Sequence, residues 1–241
     1  MMIKLLVPAC ALATSLLLGG FFIYAIGADP VFIYGRIASE TLGNWYGLGQ
    51  VLFKSTTFLF TGLAAALAFR TGLFNIGAEG QLIMGAFAMA FVGVACSGLP
   101  VFLLIPLCLV CGFLAGAAWA AVPGALKSKY GAHEVITTIM MNFIAAALVS
   151  YWINNVFGVP ATVHTAPIAS SAMLIRLDTI LPQLRGSPVN LSFVLAFLGA
   201  ILLQFFITRT RIGYELRTAG LSKDAASYAG IPVASRSLLA L

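Results

Sequence analysis

Six apolar runs order the chain: residues 5–27, 51–69, 82–97, 101–122, 135–157 and 191–207. Each comes close to the ~20 residues that a helix needs to cross the hydrocarbon core of a bilayer. The first run, behind Lys4, is long for the apolar core of a signal peptide, and no small-x-small cleavage site follows it closely, so it reads as a spanning helix. A seventh run opens at Leu238 and is too short to span, so the chain reads as ending inside a larger architecture. Residues 28–50 mix charge, glycine and aromatics, which predicts an exposed loop with a short interfacial helix. The polar 158–190 stretch, with Pro160, Pro167, Pro182 and Pro188, reads as an extended external loop large enough to meet a partner. The polar 208–236 stretch reads as short helices. The expected fold is therefore all-α: a polytopic transmembrane bundle of six complete spans and the start of a seventh.

Composition narrows this further. With 61% hydrophobic and 8% charged residues and a mean hydropathy of +1.04, the chain has about a third of the charge of a soluble domain. Disorder, a coiled coil and a secreted disulfide scaffold are excluded. The net charge is +6, but the basic residues stand singly at the ends of apolar runs. No patch exists for a polyanion to track, so nucleic acid is not an expected partner. With the N-terminus inside, Lys4, Arg70, Lys127, Lys129, Arg209, Arg211, Arg217, Lys223 and Arg236 fall on the cytoplasmic side. Arg36, Lys54, Arg176 and Arg185 fall outside. Nine against four follows the positive-inside rule, and the opposite topology inverts it. Tyr151, Trp152, Trp45 and Tyr46 then lie near the outer interface. The four cysteines lie within apolar runs, and Cys108-Leu-Val-Cys111 has neither a partner pair nor a nearby histidine. They read as packing residues, and neither metal nor cofactor is expected.

Three segments carry candidate function. Between two spans lies Arg70-Thr-Gly-Leu-Phe-Asn-Ile-Gly-Ala-Glu-Gly-Gln81. The run after it, at 16 residues, makes about 24 Å of helix. Part of 71–81 must therefore enter the membrane, or the bilayer must thin. Gly72, Gly77 and Gly80 permit a helix break, and broken backbone at depth is tolerated beside protein or a water-filled cavity. Phe74, Asn75, Glu79 and Gln81 thus become candidates for a substrate pathway, with Glu79 near a helix N-terminus. The competing reading has Glu79 capping that helix or pairing with Arg70 in a packed turn.

The second segment opens the fifth span. His133-Glu134 is followed by Thr137, so the HExxH pattern of a zinc protease fails. Glu134, Thr138 and Asn142, at i, i+4 and i+8, share one helical face. Such a stripe serves interhelical hydrogen bonding or lines a pathway, to which Thr138 and Asn142 are assigned. Gly112 and Gly116 form a GxxxG that permits close helix approach.

The third segment, residues 209–232, shows deliberate starts and stops. A first short helix is expected to end at Gly220 in a positive-φ conformation. Ser222 is a candidate N-cap with Asp224 in the following first turn, and Gly230 with Pro232 forms a stop. The result is a compact knob whose alanine-rich face suits a groove on another protein.

At FNIGAEGQ (74–81), HEVITTIMMN (133–142) and RTRIGYELRTAGLSKDAASYAGI (209–231) the chain resembles the membrane permeases of ATP-binding-cassette (ABC) importers, within them the nucleoside and simple-sugar branch. Family members continue for several further helices. The resemblance implies one permease domain over 1–241, with external loop 158–190 and cytoplasmic coupling segment 208–236, in the cell (inner) membrane. It implies docking on a separate cytoplasmic ATPase through 209–231, where Gly213, Glu215, Arg217, Gly220, Ala225, Ala226 and Gly230 are the expected coupling residues. The implied partners are that ATPase, a second permease subunit, an extracytoplasmic substrate-binding protein and the lipid bilayer. The chain is not expected to be an enzyme, and it contains no GxxxxGK[ST]. For a purine or pyrimidine ring Phe58, Phe74, Asn75 and Asn142 offer stacking and amide hydrogen bonds, and a sugar would use much the same set. The alternative is an ion-coupled secondary transporter of small polar solutes, which would need an intramembrane carboxylate near the midplane; Glu79 is the one candidate, with Glu134 at a helix end. An intramembrane enzyme ranks last, because His133 and His164 lie in loops.

Overall fold

A computed structural model describes residues 2–241, with side chains from Leu6 onward. Lys4, counted above among the cytoplasmic charges, lies outside the described side chains. The described residues form ten α-helices and no strand: α1 (Met2–Ala25), α2 (Pro30–Leu42), α3 (Trp45–Arg70), α4 (Ala78–Ala95), α5 (Val101–Tyr130), α6 (Glu134–Trp152), α7 (Leu191–Arg209), α8 (Arg211–Leu221), α9 (Lys223–Tyr228) and α10 (Val233–Ala240). Six of them, α1, α3, α4, α5, α6 with its π-helical extension Ile153–Phe157, and α7, are long and apolar enough to cross a membrane. The chain is a multi-pass membrane protein.

The six spans coincide with the six apolar runs, but their ends differ for local reasons. Helix α3 starts at Trp45, and α4 starts at Ala78, because the polar AEGQ stretch forms the first turn of the helix. Helix α5 runs through Pro106 and Pro123 to Tyr130, where Lys127 and Lys129 meet the negative end of the helix dipole and Gly131 (φ +66°) closes it.

The chain divides into two compact units. One runs to Lys54 and takes in Arg176–Val189; the other joins Ser55–Ile175 to Asn190–Leu241. In the first, α1 and α2 form a hairpin: Asp29 caps α2 by accepting from the Val31 N–H, and the Tyr34 hydroxyl donates to the Leu16 carbonyl at 2.8 Å. The α2 helix is the expected short helix of the 28–50 loop. Residues 176–189 are organised by Arg176, which donates to the Ser187 carbonyl at 2.7 Å and pairs with Asp178.

In the second unit α4 packs against α5 and α6, while α10 packs against α5 and α8. The α4–α5 contact is a glycine seam. A Cβ on Gly85 would lie 3.0 Å from the Gly112 carbonyl oxygen, and one on Gly116 3.3 Å from that of Gln81. The GxxxG of α5 therefore brings main chain against main chain. At the far end of α4 a cluster of Phe87, Phe91, Trp152 and Phe157 forms, with the Phe87 and Trp152 rings stacked at 5.0 Å.

Candidate functional site

Helix α3 ends in a Schellman turn: the Gly72 N–H bonds the Phe69 carbonyl and the Leu73 N–H bonds that of Ala68, with Gly72 at φ +69°. The chain then runs non-helically from Leu73 to Ile76 before α4 begins. Such a break leaves polar main-chain groups that need partners. Asn75, buried, accepts from the Gly77 N–H at 2.9 Å and donates to the main-chain oxygen of Leu241 at 2.9 Å. Gln81 donates to the same Leu241 oxygen at 3.0 Å and reaches Asn75 Oδ1 at 3.4 Å. Asn142 does the rest: its Oδ1 accepts from the Gly80 N–H at 2.8 Å, and its Nδ2 donates to the Ile76 carbonyl at 2.9 Å.

Asn142 lies eight residues into α6, about 12 Å along the axis. The break is thus level with the second to third turn of a membrane-length helix, past its polar start. Thr138, wholly buried, bonds back to the Glu134 carbonyl at 2.7 Å and packs where a Gly77 side chain would otherwise stand. Glu134, buried at the start of α6, pairs with Lys127 of α5 at 2.7 Å. The stripe of Glu134, Thr138 and Asn142 therefore faces protein and is occupied with structural hydrogen bonds and an ion pair.

Phe74 and Glu79 behave differently. Phe74 is exposed, its ring edge-on to Phe69 at 5.2 Å. Glu79 is exposed in the first turn of α4 and forms no ion pair, with Arg70 or otherwise, among the described residues. Phe58 is exposed on α3. Gln81 borders two clefts that flank α4. The one shared with α3, lined by Phe60, Thr61 and Ala64, measures about 310 Å³. The other, about 610 Å³, is walled by the small residues of α5 and by Ser235 and Arg236 of α10. Both have the size of small-molecule sites.

The 209–236 stretch forms α8, α9 and α10. Thr210 caps α8 by accepting from the Gly213 N–H at 3.0 Å, and Gly213 is buried where a side chain would strike the Phe206 and Ile207 carbonyls. Ser222 caps α9 through the Ala225 N–H, and Gly230 (φ +76°) stops it, both as the sequence predicts. Glu215 is buried and accepts from two arginines: Arg236 Nε of α10 at 2.6 Å and Arg211 Nε at 3.0 Å. Arg236 first, and Arg211 with it, hold the Glu215 carboxyl below the usual carboxylate range. The Arg236 side chain is 21% exposed and that of Arg211 91%. The α8–α10 pair therefore dominates, since exposed ion pairs contribute little. Arg217 has a buried Nε without a hydrogen-bond partner among the described residues.

Two expectations need correction here. Gly220 does not end its helix with a positive φ; α8 continues to Leu221, and Gly220 is instead pressed against Arg70 and Thr71. The alanines of the knob do not all face outward. Ala219 and Ala226 are buried within the chain, Ala225 is exposed, and the most exposed large apolar side chains of the α8–α9 pair are Leu221 and Tyr228, at 89% and 97%. The sequence marks Arg236 only as one of the cytoplasmic charges and does not mark Trp119 at all. Arg236 lies 21 residues from Glu215, and Trp119, whose indole donates to the Met141 carbonyl at 3.2 Å, lies beside Gly80. Neither has a local signal.

Residues 47–241 match a family described as the permease component of a branched-chain amino acid transport system. Among relatives, the guanosine ABC transporter permease protein NupP of Bacillus subtilis (strain 168) is 38% identical over 95% of this chain and 65% of its own length. The glucose ABC transporter permease protein TsgB13 of Haloferax volcanii is 34% identical over 93% of this chain and 60% of its own length. The nucleoside ABC transporter permease protein NupB of Lactococcus lactis subsp. cremoris is 30% identical over 98% and 66%. The chain thus spans 60–66% of the length of these relatives. No solved structure matches significantly. With six membrane-length helices, a polar helix break between α3 and α4 and a family match over most of its length, the chain belongs to the permease components of the branched-chain amino acid transport type.

Proposed function

We propose that this chain is the membrane-spanning permease subunit of an ABC importer for nucleosides or simple sugars. It carries no hydrolytic chemistry of its own; a separate cytoplasmic ATPase docks on 208–236, a second permease subunit completes the pathway, and an extracytoplasmic binding protein delivers substrate. The reading takes 1–241 as one permease domain with its N-terminus inside and 158–190 outside, supported by the nine-to-four charge asymmetry. The substrate class is supported by the relatives, two named for guanosine or nucleosides and one for glucose.

The observation that carries the reading is the break itself. Non-helical backbone at the level of Asn142, sealed on one side by amide side chains and open at Phe74 and Glu79, is the arrangement that alternating-access pathways use. Phe74, Glu79 and Gln81 are the pathway side; Asn75, Thr138 and Asn142 hold it in shape. Glu134 is committed to Lys127, which leaves Glu79 as the carboxylate that an ion-coupled transporter would need, and ATP dependence separates the two readings. The test is uptake of labelled guanosine and glucose by the full-length protein with its ATPase and binding protein in vesicles. Uptake requiring internal ATP is expected, and Glu79→Gln should impair it at unchanged membrane abundance. Uptake driven by an ion gradient without ATP would overturn the reading.

A further inference from the structure

Segment 208–236 meets the helix break at two glycines. A Cβ on Gly220 would run into the Arg70 carbonyl oxygen and come within 3.0 Å of the carbonyl carbons of Arg70 and Thr71. In return, a Cβ on Gly72 would lie 3.2 Å from the Gly220 oxygen and 3.4 Å from its Cα. Main chain therefore rests on main chain from both sides. Around the contact Leu216 of α8, Leu73 of the break, Ala68 of α3 and Ala240 of α10 form one buried cluster. At its other end the break is hydrogen-bonded to α6 through Ile76 and Gly80.

A contact between long side chains can absorb a small displacement by changing rotamer. A main-chain contact flanked by a filled core cannot, because close-packed interiors pass strain on. The break is also the element able to respond: it is short, non-helical, and bounded by Gly72 and Gly77.

We propose that the Gly220–Gly72 contact is the point through which movement of the α8–α9 segment displaces the 71–77 break, making Gly72 and Gly220 positioning residues for transport. The proposal rests on the permease reading above. It differs from simple packing of α8 on α3 in one respect: a static contact does not respond to nucleotide bound by a partner, whereas a transmitting one does.

The experiment uses the full-length permease assembled with its ATPase, with its cysteines replaced, Cys10, Cys96, Cys108 and Cys111 among them, and Ile76→Cys as reporter. Ile76 is exposed on the break and holds Asn142 through its carbonyl, which the substitution keeps. Maleimide labelling is followed with and without ATP. Nucleotide should change the labelling rate severalfold, and Gly220→Ala should abolish that change while the ATPase still co-purifies. Uptake should fall about tenfold, equivalent to about 1.4 kcal/mol. If Gly220→Ala does not reach the membrane, Leu216→Ala, which loosens the core beside the contact and leaves its main chain untouched, is read in the same way. A nucleotide response that survives the substitution overturns the proposal. So does the absence of any response in Ile76→Cys with Gly220 intact, in an assembly that hydrolyses ATP and imports substrate. Failure of the unaltered chain to retain an ATPase would instead remove the permease reading, and this proposal with it.

Discussion

Asn142 shows how much one amide can hold. It supplies a donor to a main-chain group of the break and an acceptor to one in the first turn of α4, 66 and 62 residues away in sequence. Asn142→Ala strands both, and the loss weighs most at Gly80, which is buried, where an unsatisfied polar group costs about 1–3 kcal/mol. Asn142→Asp keeps the acceptor for Gly80 but turns an anionic oxygen toward the Ile76 carbonyl. Both variants should melt at lower temperature than the parent when the full-length protein is purified in detergent; an unchanged melting curve for Asn142→Ala would show that the amide does not hold the break. The spacing of Glu134, Thr138 and Asn142 made their common face legible in the sequence, because helical periodicity is local. Their partners were not, since nothing near position 142 points to 76 or 80. The same division holds at Glu215, whose i,i+4 neighbour Arg211 is visible in the sequence and whose closer-held partner Arg236 is not.

Helices were legible where capping chemistry is written into adjacent residues. Ser222 and Gly230 delimit α9 as expected. At Gly220 the same logic failed, because glycine serves two purposes, a turn conformation or a missing side chain, and only the tertiary approach of Arg70 decides between them. The faces of the α8–α9 pair were likewise beyond local reading: small residues suit an internal seam as well as an external groove. This reassigns the mutational test of docking. Ala226→Trp overpacks the interior of the segment, at a cost of about 1–3 kcal/mol, and should disturb its fold. Leu221→Ala and Tyr228→Ala remove exposed apolar surface, leave the fold intact, and should reduce co-purification of the ATPase. Pull-down from membranes with matched permease levels checks this; full retention by the Leu221→Ala/Tyr228→Ala pair would place docking elsewhere on the segment.

At the scale of the molecule, the number of spans and the class of fold followed from apolar run length alone, since the bilayer imposes a length that few other environments demand. Which helices become neighbours did not follow, because apolar residues facing lipid and those facing protein are alike in composition. Helix α1 illustrates this: its apolar stretch has no buried residue, yet by length and composition it is as fit to cross a membrane as α5, which packs against α4. Orientation rests on charge, so it is tested directly. In a cysteine-free background, Ser171→Cys should label with an impermeant maleimide in intact cells and Ser222→Cys only after permeabilisation. Labelling of Ser222→Cys in intact cells would invert the topology.

The indole of Trp119 has an optical consequence. Its ring nitrogen stands 3.1 Å from where a Gly80 side chain would begin, while it donates across to α6 at Met141. The chain has only two other tryptophans, Trp45 and Trp152. Replacing those two by phenylalanine leaves Trp119 as the single indole among these 241 residues, wedged at the start of α4, and excitation beyond the tyrosine band selects it. Its emission then reads the local polarity of that junction, and any rearrangement there registers as a spectral shift without an attached dye.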